Sequence, residues 1–289
     1  MQRMDAIAAP PSFYQLGRRK RIHLVRHAQG MHNVESDKSR DPLASFELFD
    51  AQLSPLGWQQ VVDQRETVRR SGLLGKIEVV IVSPMSRTLQ TAVGIFGGED
   101  QADGLHVTSW QDSNVESRPP IVAYELCRER MGKYECDKRE SISQYRSRFP
   151  GVDFSLIEDE DEVLWDPNER ETLEAVNARA IKFLKWLWER KEKVIAVVSH
   201  GVFLQQAMIE LFQNKNHYTL PLNNDYDPCS RFKNCEIRSV ITFHESMMGL
   251  GSDSMICKQQ RCGRIENQVL QIRESAKDKI PVEEVEVVT

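Results

Sequence analysis

The sequence predicts an α/β protein built on parallel strands, and three observations lead there. Three short apolar runs, at residues 22–25, 77–82 and 194–198, have the length and β-branched content of buried strands. Helical patterns alternate with them; the longest, residues 169–191, repeats Leu173, Val176, Ala180, Ile181, Leu184 and Leu187 mostly at steps of three and four. Each apolar run ends in groups suited to an anion: Arg26 and His27, then Ser83 with Arg87, then Ser199 with His200. In open α/β sheets ligands sit just outside the carboxyl ends of the strands. If the three strands are parallel neighbours, two arginines and two histidines converge on one spot.

Composition narrows the classes. A chain of 289 residues buries enough surface for one large α/β domain or two small ones. The net charge of −5 offers no general attraction to nucleic acid or anionic membrane, so any basic site is local. No apolar stretch approaches the ~18 residues that span a bilayer. The opening MQRMDAIAAPPSFYQ has no long hydrophobic segment behind a basic one and does not read as a secretory signal. Six cysteines form no C-x-x-C pair in a chain too large to need staples, so reduced thiols in a cytoplasmic protein are expected, with no metal.

Taken in order, residues 1–20 read as a flexible lead, from Pro10-Pro11 and the basic run that follows. After the first strand, residues 35–51 are a polar loop with Asp41-Pro42 as a turn, placed to lie over the site. Ser54-Pro55 then opens a helix that Ser71-Gly72 closes, with Leu56, Trp58, Val61, Val62 and Val68 as its apolar face. Ser83-Pro84 repeats that signal and puts Arg87 in the first turn of the next helix. That end of a helix already favours an anion, so the arginine is not there to serve the helix; a bound phosphate explains it, and so does a surface carboxylate.

Residues 97–120 form a long insertion rich in Gly, Asp and Ser. A short strand at 121–124 leads into ELCRERMGKYECDKRE, where acids and bases crowd together. A modest helix at 141–149 follows, and the acidic stretch 158–162 reads as a solvated face. The helix at 169–191 feeds the strand at 194–198 as half of a βαβ unit, and another helix, 201–212, starts immediately after His200. Residues 214–236 hold a second insertion, and 236–244 alternate as a late strand for which an edge position is open. A polar helix near 259–277 ends the domain, which thus runs over 21–277, and residues 278–289 are a flexible acidic tail.

With these residues assembled, the sequence resembles the histidine phosphatase superfamily, also called phosphoglycerate mutase-like. The carriers are Leu24-Val25-Arg26-His27 with Asn33, Leu53-Ser54-Pro55-Leu56-Gly57 with Gln60, Ser83-Pro84 with Arg87-Thr88 and Thr91-Ala92, and Ser199-His200-Gly201. They follow the family's order and span residues 22–212; a lone Arg-His pair means little, but four motifs in register are highly specific. The stretches Cys127-Arg128-Glu129 before Gly132, and Cys136-Asp137-Lys138-Arg139, look like the plant and fungal phosphoglycerate mutase-like proteins. The resemblance implies a three-layer sandwich, a mostly parallel central sheet with helices on both faces. It also implies a metal-independent phosphoric monoester hydrolase that needs no cofactor and acts on a small phosphorylated metabolite. One departure stands in the first motif, where Ala28, Gln29 and Gly30 replace the family's usual glycine followed by Glu or Thr. An added methyl should leave the turn intact, so the departure bears on the substrate.

The chemistry follows from the residue types. Phosphoryl transfer is mostly positioning and charge stabilisation, and Arg26 and Arg87 offer fork-shaped donors to the phosphoryl oxygens. Neutral His27 attacks through one ring nitrogen, forming a phosphohistidine, while its other nitrogen donates to a backbone carbonyl. His200, protonated beside the helix opening at Gly201, is expected as a third positive donor, and Asn33 as an uncharged one. The leaving alkoxide needs a proton. The resemblance favours Glu129, a few residues before a glycine, while the strand-end position favours Glu125; the other of the two then forms a salt bridge with Arg128 or Arg130. Arg118, Lys133, Lys138 and Arg139 suggest a further anionic group, or are merely solvated. Two rival functions fit the same residues: a mutase that retains its phosphorylated product under a lid, and a non-catalytic phosphate-binding protein on this fold.

Overall fold

The computed structural model describes residues 19–36, 46–97, 118–214, 217–222, 227 and 229–244. Residues 1–18 of the expected lead, 37–45 of the expected loop, most of the first insertion, the polar helix and the acidic tail lie outside the described residues, while Arg19 and Lys20, expected as the end of the lead, already belong to the first strand. The chain runs β1 (Arg19–Arg26), α1 (Met31–Ser36), α2 (Pro55–Arg70), β2 (Val79–Val82), α3 (Ser86–Phe96), β3 (Ile121–Ala123) and α4 (Ile142–Arg148). It continues through β4 (Val152–Asp153), α5 (Leu173–Glu189), β5 (Val194–Ser199), α6 (Gly201–Gln213), β6 (His217–Pro221) and β7 (Ile237–His244).

The strands form one seven-stranded sheet in the order β4-β3-β2-β5-β1-β7-β6. The first five in that order are mutually parallel, and β7 runs antiparallel to both β1 and β6. Buried on both faces, β2 and β5 need apolar residues at every position, and VVIV and VIAVV supply them. Val25, Val80, Val82, Ala196 and Val198 face one layer, with α2, α3 and α4. Leu24, Val79, Ile81, Ile195 and Val197 face the other, with α5 and α6. The three-layer sandwich with a mostly parallel sheet is therefore the observed fold.

Several local expectations need correction. Ser54 caps α2 by accepting from the Gly57 N–H at 3.0 Å, and Gly72 ends it at φ 63°, both as read from the sequence. Leu56, however, is 54% exposed, because it lies in the first turn, two positions past the cap, on the outward side. Ser83-Pro84 does not cap α3, which begins at Ser86 after Met85. The acceptor for the Ser86 N–H is instead Asp50, at 2.8 Å, and the Ser86 hydroxyl donates to the same carboxylate. That partner comes from 36 residues away, where no local pattern reveals it. On α5, Phe183 rather than Ile181 belongs to the buried stripe with Val176, Ala180 and Leu187. The second insertion is not all loop, since β6 lies in it, and by pairing with β7 it moves β7 from the edge to the interior of the sheet. The acidic stretch is not simply solvated: the Glu162 carboxylate is buried against Arg128 at 2.6 Å.

Candidate active site

Strand register builds the site. Arg26 pairs with Ser199 and Val82 with Val198, so the residues that follow β1, β5 and β2 emerge side by side. They are His27, His200 and Ser83. The His27 N–H donates to Ser199 O at 2.9 Å and the Ser83 N–H to Val198 O at 3.1 Å, which carries the sheet bonding to the first residue of each turn.

The turn after His27 is held by the second motif. The Gln29 N–H donates to Gln60 Oε1 at 2.9 Å, the Ser54 hydroxyl to Gln29 Oε1 at 2.7 Å, and the Ser54 N–H to Gln29 O at 2.9 Å. A side chain at Gly57 would put its Cβ 2.1 Å from that carbonyl, so the glycine is what lets α2 abut the turn. Ala28 is buried, and its N–H donates to Thr91 Oγ1 at 3.1 Å, so the alanine at the departure from the family pattern is accommodated.

His27 is buried, and its Nδ1 lies 2.7 Å from Ala28 O. A carbonyl only accepts, so the proton sits on Nδ1 and Nε2 keeps its lone pair. Burial, together with Arg87, Arg26 and His32 nearby, holds the ring well below the ordinary imidazole value, against the opposing bond to Ala28. Arg26 donates from Nη1 to Phe232 O at 2.7 Å, while its Nε is buried with no partner among the described residues. Arg87 donates to Cys136 O and, at 2.8 Å, to Asp137, and its Nε is likewise buried with no partner there. Asp137 also takes Arg170 at 2.8 Å, so one carboxylate orients Arg87 from outside the site.

His200 stands 5.2 Å from His27 between ring centroids, edge on. Its Nε2 lies 2.8 Å from Ser83 Oγ, and its Nδ1 is buried with no partner among the described residues. The expectation of a protonated His200 does not hold against the protein's own charges. Burial first, then Arg87, His27 and His32, hold it well below the ordinary value, so this environment favours the neutral ring. Gly201 opens α6 beside Arg26, where an added Cβ would come 3.3 Å from the Arg26 Nε. Asn33 accepts through Oδ1 from the Gly30 N–H at 3.0 Å and from Asn234 at 3.2 Å, so that oxygen serves the turn.

The two glutamates part company. Glu129 accepts from the N–H groups of Val202 and Phe203, each at 3.2 Å, in the first turn of α6 immediately after His200, and lies within electrostatic reach of Arg26. Glu125 is taken by Arg128 at 3.2 Å and Arg139 at 2.8 Å, the salt-bridge alternative. Arg139 is thereby removed from the suggested basic rim: it is buried, and its remaining donors go to four carbonyls, those of Asp159, Glu160, Asp161 and Glu140.

Three contributors escape a reading of the sequence. His32 is buried in α1 with its ring 5.4 Å from His27. Asp137 orients Arg87. The loop before β7 closes one wall through Phe232 O, through Asn234, and through the Cys235 N–H, which donates to His27 O at 3.2 Å. Arg238 organises that loop, bonding the carbonyls of Asp227, Ser230 and Arg231 and lying 3.9 Å over the Phe232 ring. A G-x-H spacing at Gly30 and His32 is the one signal in the sequence; backbone carbonyls leave none. Among the described residues no group of three or more His, Cys, Asp or Glu is placed to hold a metal ion, and no helix is long and apolar enough to cross a membrane.

Comparison with known proteins points the same way. A family model described as the histidine phosphatase superfamily (branch 1) matches residues 113–233. A phosphoglycerate mutase-like protein of Arabidopsis thaliana is 45% identical over 256 residues, covering 83% of this chain and 90% of the relative. Phosphoglycerate mutase-like protein 1 of the same plant is 48% identical over 253 residues, covering 84% and 87%. A probable phosphatase of Schizosaccharomyces pombe is 25% identical over 217 residues, covering 73% and 87%. With these matches over most of its length, and with the motif residues gathered at the ends of β1, β2 and β5, the chain belongs to the histidine phosphatase superfamily as a phosphoglycerate mutase-like member.

Proposed function

We propose that this chain is a phosphatase that hydrolyses a small phosphorylated metabolite through a phosphohistidine on His27, without a metal. One observation carries the reading. Two buried guanidinium nitrogens with no acceptor among the described residues, Nε of Arg26 and Nε of Arg87, and the unpartnered Nδ1 of His200 lie near an imidazole whose own Nδ1 is already committed to Ala28. Buried polar groups are costly to leave unpaired, and a phosphoryl group offers acceptors to such donors.

In the first step the Nε2 lone pair forms a bond to phosphorus as the bond to the leaving oxygen breaks, and Glu129 gives that oxygen a proton. In the second, water attacks phosphorus, its proton passes to Glu129, and the P–N pair returns to His27. The two guanidiniums supply the positive charge that a metal supplies elsewhere. A phosphoryl dianion among them also opposes the burial and the like charges that hold His200 low, which makes that ring a charged donor only in the complex. The four free, buried thiols described, Cys127, Cys136, Cys229 and Cys235, suit a reducing, cytoplasmic setting.

The test uses an aryl phosphate and a labelled phosphate monoester. The wild-type chain should turn the aryl ester over without a bisphosphate primer and in the presence of EDTA, and rapid quenching should trap acid-labile label that His27→Ala abolishes. A strict need for primer points to a mutase, and binding without turnover to a non-catalytic protein. Label that survives in His27→Ala refutes the assignment of the nucleophile.

A further inference from the structure

The chemistry assigned to His27, His200 and Glu129 leaves one buried imidazole of the cluster without a role. The His32 ring lies 5.4 Å from that of His27, close to the 5.2 Å that separates His27 from His200. It is held there by the glycine two residues earlier. A Cβ at Gly30 would fall 2.6 Å from His32 Nδ1 and 2.7 Å from Cε1, so the ring is folded over a bare Cα and any other residue there would have to displace it. The same Gly30 carbonyl accepts from the Asn33 N–H at 2.9 Å and starts the helix that carries the ring.

His32 is only 9% exposed, and its Nδ1 is buried with no partner among the described residues. What sets it apart from His23 is its place in the fold: His23 sits in β1 with its Nδ1 2.7 Å from Ser239 Oγ, and each of the two rings keeps one buried nitrogen with no partner among the described residues. The charged and titratable groups around His32 are Arg26 at the end of β1, Arg87 on α3, His27, and His200 between β5 and α6. Both arginines are positive, so they disfavour a charge on His32. Burial and the two guanidiniums hold the ring well below the ordinary imidazole value.

We propose that His32 is a further substrate-contacting residue of this site, which takes up one proton as a phosphoryl dianion arrives and donates that N–H to a phosphoryl oxygen. The proposal rests on the phosphatase reading of the same site. A dianion set between Arg26 and Arg87 offsets their charge at His32, and an opposite charge at contact favours the protonated ring against the cost of burial. The proton comes from solvent, resides on a ring nitrogen while the anion is bound, and returns to solvent when phosphate leaves. His32 forms no bond to phosphorus. Substrate binding is then linked to pH through a residue that is not the nucleophile.

Tungstate, dianionic across the neutral range, brings no proton of its own and is the probe. Calorimetric titration of the full chain in two buffers of different ionisation heat counts the protons taken up on binding. His32→Gln should bind tungstate about 10- to 100-fold more weakly, the worth of a hydrogen bond to a charged group, and take up about one proton fewer. His32→Phe, which keeps a ring over Gly30, should lose the same proton, which separates titration from packing. Imidazole nitrogen NMR on the wild-type chain needs no variant, and the His32 signals should move to the protonated position when tungstate is added. Unchanged His32 signals, or variants that match the wild type in affinity and proton uptake, overturn the proposal while leaving the phosphatase reading in place. A wild-type chain that neither binds tungstate nor hydrolyses an aryl phosphate overturns both.

Discussion

Glu129 and Glu125 lie four residues apart and meet opposite surroundings. Glu129 rests on backbone N–H groups in the first turn of α6, beside the end of β5, whereas Glu125 is neutralised by two buried guanidiniums. A general acid matters most when the leaving group is poor, and contributes about 10²- to 10⁴-fold. Glu129→Gln should therefore depress kcat for an alkyl phosphate by that order and for an aryl phosphate far less, with the fold unchanged. Glu125→Gln should do the reverse: Arg128 keeps Glu162, but Arg139 loses its carboxylate partner, and denaturant unfolding should show a loss on the order of 3 kcal/mol. A leaving-group dependence that appears in Glu125→Gln and not in Glu129→Gln exchanges the two roles.

The elements around the site are joined through glycines whose substitution has distinct consequences. Helix α2 meets the turn after His27 at Gly57, where a Cβ would lie 2.1 Å from a backbone oxygen that cannot swing away. Gly57→Ala should cost stability, about 1–3 kcal/mol for the forced shift, and lower activity with it by displacing the turn. Helix α6 meets Arg26 at Gly201, where the Cβ would be 3.3 Å from a guanidinium nitrogen at the end of a flexible side chain. Alanine also suits a helix better than glycine. Gly201→Ala should accordingly keep its melting temperature and lose about 10-fold in kcat/KM through a displaced phosphate donor. Equal losses of stability in both variants would contradict this division.

Over the whole molecule, two buried carboxylates pull stability in opposite directions with pH. Burial would raise the Glu162 carboxyl, yet Arg128 and the N–H groups of Arg139 and Leu164 bring it below the ordinary value, so its contribution is lost as pH falls. Asp50 is the other case. Burial pushes its carboxyl up from 3.8 to about 6, against hydrogen bonds from Ser86 and Tyr145 and the charge of Arg87. Between those values the unfolded chain has ionised and the folded chain still binds the proton, so stability falls as pH rises, by roughly 1.4 kcal/mol per pH unit across the window. Unfolding by urea from pH 4 to 7 should show that decline in the wild type and a flatter profile in Asp50→Asn. A profile unchanged by the substitution would show that Asp50 titrates in its ordinary range.

The residues that end β1, β2 and β5 were legible because each follows its apolar run directly, and a strand's length and its stop are local properties. Arg26, His27, Ser83, Ser199 and His200 could be named on that ground alone, Arg87 from the helix start that follows, and the cap at Ser54 likewise. Their convergence was not local. It depends on β5 entering the sheet between β2 and β1, more than 110 residues after β2, and on a register that sets Ser199 opposite Arg26. The same holds for the supports. Asp50 reaches Ser86 across 36 residues, Asp137 reaches Arg87 across 50, and the Phe232 carbonyl reaches Arg26 across 206. Periodicity records which face of an element is buried, and it carries nothing about which distant side chain or backbone carbonyl will meet that face. The tertiary structure also set the protonation of the site. Burial among like charges holds His200, expected as a cation, well below the ordinary imidazole value, because desolvation acts on a group only once the fold has removed it from water.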